Sequence, residues 1–165
     1  TLNETGDAGY QFEISKWNYD WNGKPIDIDV NFTEVEESSI GVVREYLNAL
    51  SAIHKVGIAA VHEEFAKGEV VKEYIEEWKE DGFEEIFTEE EFQKFIENTA
   101  EAKGMTERLL SLIRMVRIGI YVEPQKSLLV MDFAFGYDME MGFRDDMIVV
   151  KLDANLKVVE VWTEG

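Results

Sequence analysis

Residues 136–146 gather Asp138, Glu140, Asp145 and Asp146 between two apolar runs. Carboxylate oxygens at that density are the ligands a hard cation such as calcium or magnesium takes. Their spacing does not follow the EF-hand loop, so a solvated or partner-facing loop is the simpler reading. A metal-dependent binding protein or hydrolase is the alternative that these four acids would serve. His54 and His62 are the only histidines, eight residues apart on one expected helix. Two helical turns separate them by about 12 Å, too far to share one metal ion. His54 also falls on an apolar seam, where a core role suits it better. The chain has no cysteine, which removes thiolate ligands, thiol nucleophiles and disulfides together. Acids are so abundant that a carboxylate pair is no signal of glycoside hydrolysis, and glycine-rich phosphate loops are absent. These residues call for no cofactor and favour a binding protein over an enzyme.

The charge says more than any motif. Asp and Glu number 35 against 16 Lys and Arg, a formal charge of -19, in a chain that is 45% hydrophobic and 12% aromatic. That composition is too apolar for a disordered acidic tail. The charge excludes nucleic acid and anionic membranes as partners and steers basic proteins toward the surface. The imbalance concentrates in residues 69–101, where 13 acids face Lys72, Lys79 and Lys94. Glu84, Glu85, Glu89 and Glu90 flank a loop and a helix start there, outside the expected core. Asp27 and Asp29 point outward from an alternating strand, and Trp21 lies beside a turn. These seven residues are the candidate surface for a basic partner.

The elements that must position them read as an α+β fold in one domain, residues 1–165. Tyr10, Phe12 and Ile14, then Trp17, Tyr19 and Trp21, lead to Asn22-Gly23, and Ile26, Ile28 and Val30 follow. This predicts an N-terminal β-hairpin with a two-residue turn. About three helices come next. The first carries a seam of Ile40, Val43, Leu47, Leu50, His54, Ile58, Val61 and Phe65, with Gly57 able to bend it and Gly68 ending it in a left-handed cap. The second buries Val71, Tyr74, Ile75 and Trp78. The third opens at a capping box, Thr88 with Glu91, and buries Phe92, Phe95 and Ile96. Four strands over 112–122, 128–135, 147–152 and 157–162 form an antiparallel meander, with the helices packed on one face of the sheet. Leu47, Leu50, Val61, Phe92, Ile118, Phe133, Val149 and Val159 are the expected shared core. Arg108, Arg114 and Arg117 are the one basic concentration, expected to pair internally with acids. No apolar run reaches the roughly 20 residues of a membrane helix. The expected setting is cytoplasmic, and a homodimer through an apolar sheet face is compatible with the pattern.

Ile118-Gly119-Ile120-Tyr121, Leu129-Val130-Met131-Asp132-Phe133, Ile148-Val149-Val150-Lys151-Leu152-Asp153 and Val158-Val159-Glu160-Val161-Trp162, together with Trp21-Asn22-Gly23 and the long helix, give the chain a family likeness. It resembles a bacterial domain-of-unknown-function family of small acidic cytosolic proteins. The resemblance implies an immunity-type role, in which the protein binds and neutralises a basic toxin. Its last hairpin, Asp153-Ala154-Asn155-Leu156, lacks the glycine expected of that pattern.

Overall fold

The computed structural model describes residues 2–5, 9–14, 26–32, 37–123, 126–135 and 146–165. Strands β1 (Leu2–Thr5), β2 (Gly9–Ile14) and β3 (Ile26–Phe32) precede helices α1 (Glu37–Asn48), α2 (Leu50–Lys67) and α3 (Val70–Glu80). A 3-10 turn (Phe83–Ile86) leads to α4 (Glu89–Asn98) and α5 (Met105–Leu110). Strands β4 (Ile113–Glu123), β5 (Lys126–Phe135), β6 (Met147–Asp153) and β7 (Val158–Glu164) complete an α+β fold. All seven strands lie in one sheet in sequence order.

That sheet is mixed. The last four strands form the expected antiparallel meander, but β3 pairs with β4 in parallel, Ile28 opposite Ile118 and Val30 opposite Ile120. The chain leaves the end of β3, crosses through all five helices and returns beside it in the same direction. A connection of that length permits parallel pairing where a tight turn does not. The N-terminal hairpin also differs. A two-residue turn at Asn22-Gly23 would set Ile26 against Tyr19, whereas Ile26 pairs with Ile14. The turn itself, with Trp17, Tyr19 and Trp21, lies outside the described residues.

Alternation gives each strand a core side and an outer side. Ile28, Ile118, Met131 and Val150 meet across β3 to β6 on the side that the helices cover, all at most 1% exposed. The helices fill that side with Ile53, Val61, Val71, Tyr74 and Ile75, again at most 1% exposed. Leu50, Val61, Ile118 and Phe133 join this cluster as expected, while Leu47 and Phe92 are half-buried against it. Two core expectations fail. Val149 is buried, but it pairs with Asp132 and Trp162 on the opposite side of the sheet. Val159 is 55% exposed, because the ladder shifts between Lys151 and Leu152 and leaves it out of pairing.

The long first helix is two helices. They part at Ala49 (φ -104°, ψ 12°), whose N–H donates to both Glu45 and Tyr46 carbonyls, a tightened turn without glycine or proline. The break shifts the inward stripe of α2 to Leu50, Ile53, Gly57, Ala60 and Val61, leaving His54 and Ile58 half-buried and Ile40 exposed. Gly57 does not bend α2. A Cβ there would come within 2.8 Å of the Met131 thioether and 2.9 Å of the Phe133 ring, so its bareness lets the helix lie close on the sheet. Gly68 ends α2 in extended rather than left-handed backbone (φ -116°). Among the described residues no helix is long and apolar enough to cross a membrane.

Candidate functional site

The acidic surface runs along α3 and past its end. Gly82 takes left-handed backbone (φ 81°), which turns the chain into the 3-10 turn that carries Glu84 and Glu85. Thr88 then starts α4: its hydroxyl accepts from Glu91 N–H at 3.2 Å, and the Glu91 carboxylate accepts from Thr88 N–H at 2.8 Å. This is the expected capping box, and it fixes Glu89 and Glu90 in the first helical turn, where the helix dipole favours negative charge. Beneath the acids Phe87 stacks on Phe95 with 5.2 Å between centroids and meets Phe92 edge-on at 5.8 Å. Glu84, Glu85, Glu89 and Glu90 are all exposed.

All 13 acids of residues 69–101 are exposed, and each of the three lysines among them lies within 4 Å of an acid three or four residues away. Lys72 lies 3.9 Å from Glu69, Lys79 3.0 Å from Glu76 and Lys94 3.1 Å from Glu90. Lys79 also donates to the Thr106 hydroxyl, which donates to Glu76 at 2.6 Å and ties α3 to α5. The Thr106 hydroxyl, with Lys79 beside it, holds the Glu76 carboxyl below its ordinary range. Exposed pairs of this kind contribute about 0–1 kcal/mol each. They do not neutralise a surface on which acids outnumber bases by ten.

A second polar cluster lies on the sheet face away from the helices. Arg117 stands in β4 between two carboxylates, its Nε donating to Asp29 Oδ2 and its Nη1 donating to Asp132 Oδ2 at 3.1 Å. The bulge between Met115 and Arg117 puts it there. Without the extra residue the alternation of Ile113 and Met115 would carry Arg117 into the core; with it, Ile118, Ile120 and Val122 turn inward instead. Gly119 supplies the space, since a Cβ would meet the Tyr121 ring at 2.9 Å and the Arg117 guanidinium at 3.2 Å. Burial disfavours the guanidinium charge, but Tyr121 and the two carboxylates outweigh it and hold Arg117 above its ordinary value. Burial pushes the Asp132 carboxyl up, with Arg117 opposing.

This cluster corrects one expectation and refines another. Asp29 was expected at the surface for a partner; it is instead half-buried and bound to Arg117, while its neighbour Asp27 is exposed. Arg117 pairs internally with acids as expected; Arg108 donates to the Ile96 carbonyl, and one of Arg114's hydrogen bonds goes to the Met115 carbonyl. Asp132 was missed as a partner. The sequence did carry a signal: the apolar positions change phase between Met115 and Ile118, which marks a bulge and turns Arg117 to the face that carries Asp132. Through these two hydrogen bonds the cluster links β3, β4 and β5.

Trp21, Asp138, Glu140 and Asp145 lie outside the described residues, and Asp146 is half-buried ahead of β6. Among the described residues no three His, Cys, Asp or Glu side chains are grouped as metal ligands. His54 is half-buried in α2, and desolvation lowers its pKa to about 4. Comparison with protein-family models, with curated proteins and with solved structures finds no match to this chain.

Proposed function

We infer that this chain is a non-enzymatic binding protein whose acidic helical surface receives a cationic protein. The observation that carries the reading is the surface of residues 69–101, with 13 exposed acids and only three lysines, each paired with an acid three or four residues away. Such a surface contributes little to folding, because its ion pairs are solvent-screened and its like charges repel. Its use lies in association. Acids packed within a Debye length of about 8 Å act together on an approaching cation and raise the encounter rate. Glu84, Glu85, Glu89 and Glu90 sit at the junction of the 3-10 turn and α4, with Asp27 exposed on β3 as a separate acid. The most concrete form of the reading is an immunity-type inhibitor that masks a basic toxin.

The test is retention of a basic protein from the source lysate on the immobilised chain, with release by salt. The variant with Glu84, Glu85, Glu89 and Glu90 changed to Lys is expected to retain none of it. Equal retention by both forms would remove the acidic surface from the account.

A further inference from the structure

Strand β7 closes one side of the sheet, and among the described residues its one strand neighbour is β6. Val158 and Val159 are 46% and 55% exposed there, two of the three large hydrophobic side chains left open to solvent among the described residues. Beyond the shift at Val159 the ladder is regular from Glu160 to Glu164. On the helix side of that edge an open groove of about 280 Å³ runs between the last turns of α2 and β7. Ala60, Val158 and Val161 give it an apolar floor, and Glu63 and Glu64 stand on its wall. Lys67, also in the wall, is paired to Glu63 at 2.7 Å. On the other side of the strand Glu160, Trp162 and Glu164 share one face, with the Trp162 indole donating to Glu164 at 3.1 Å.

We propose that the β7 edge and its groove form a strand-addition site for an extended, lysine- or arginine-rich segment of the cationic partner. The proposal rests on the reading of a cationic partner and adds where and in what conformation part of it binds. An edge strand offers backbone hydrogen bonds that only an extended chain can use. Alternate side chains of that segment then face opposite ways. Those entering the groove meet an aliphatic floor and an acidic wall, an environment suited to a long side chain with an apolar stem and a cationic tip. Those on the other face meet Glu160, Glu164 and the Trp162 ring, which also attract cations. A second copy of this chain fits poorly, because pairing two β7 edges would bring Glu160 and Glu164 of two chains, each at -19, onto one continuous sheet.

The probe is a synthetic ten-residue peptide alternating lysine and valine, with a glutamate–valine peptide as its control, titrated into the isotopically labelled chain. The expected result is that the lysine peptide alone shifts the amide resonances of Val158–Glu164 and slows their hydrogen exchange. Val158→Lys should weaken this binding by about tenfold or more, since it places a like charge at a contact that should be apolar. If that variant loses its fold by circular dichroism, Glu63→Lys carries the same expectation. Shifts confined to residues 84–95 with β7 unmoved would overturn the edge site and leave the acidic-surface reading standing. Absence of any shift would overturn both. Concentration-dependent β7 shifts without peptide, with sedimentation as a dimer, would assign the edge to a second copy and overturn the proposal.

Discussion

Arg117 shows how single residues are held in this molecule. Its guanidinium faces Asp29 and Asp132, whose side chains are 25% and 9% exposed, so removing it leaves two carboxylates with their charges uncompensated. Arg117→Met should therefore destabilise the fold toward the lower end of the roughly 3–5 kcal/mol that breaking a buried pair costs, because the site is partly solvated. Urea denaturation should show a larger loss at pH 8 than in mild acid, because burial pushes the Asp132 carboxyl up and its protonation relieves uncompensated charge. An equal loss at both would mean that the guanidinium contributes packing rather than charge. His54 carries a second pH dependence, set by its desolvation. Its folded pKa of about 4 lies below the ordinary 6.5, so the unfolded chain binds the proton first. The stability it supports is complete above pH 6.5 and is lost as the pH falls toward 4. Wild type should lose denaturation midpoint across that window more steeply than His54→Gln, and parallel profiles would show that His54 does not titrate with folding.

Elements were legible in the sequence where one local rule decided them. The Thr88 capping box, the inward face of α3 and the last four strands follow from a cap, a helical period and β-branched runs. What was not legible depended on contacts distant in the chain. The parallel seam between β3 and β4 depends on where five helices deliver the chain, and the break at Ala49 bears no glycine or proline mark. The inward stripe of α2 departs from the expected seam because the break at Ala49 shifts its phase. At the closest approach to the sheet the small residues Gly57 and Ala60 turn inward, and the larger Ile58 stays half-buried. Gly57→Ala tests that reading, since two effects oppose. Alanine gains up to about 1 kcal/mol in helix propensity, while a Cβ pressed on Met131 and Phe133 costs about 1–3 kcal/mol in overpacking. A net loss of stability is expected in thermal or urea denaturation. A net gain would mean that Met131 moves aside and that α2 does not need the bare position. The last hairpin lacks its expected glycine for a related reason. Leu156 itself takes left-handed backbone (φ 61°), while Asp153 Oδ1 accepts from Asn155 and Lys157 N–H at 2.8 and 3.0 Å. The aspartate and the packing of Leu156 against the core stand in for glycine's freedom.

At the scale of the whole molecule the two faces of the sheet differ in chemistry. One carries the helices over an apolar core, and their outer surface bears the acids of residues 69–101; the other carries the Arg117 cluster, in which one guanidinium joins two carboxylates. The acidic surface was legible because charge needs no fold to be counted. Asp29 was not, because only the sheet brings Arg117 beside it. Of the acids first considered, the structure therefore separates an exposed helical group from one engaged in holding strands together. Charged surfaces chiefly set how fast partners meet and how strongly salt slows them, and this gives the central claim its test. The association rate with the basic protein captured from the source lysate should be measured from low to physiological salt. The wild-type rate should fall steeply with salt. Changing Glu84, Glu85, Glu89 and Glu90 to Lys should slow association and flatten that dependence while leaving the chain folded, since all four are exposed. An unchanged rate and unchanged salt dependence in the folded variant would contradict the account.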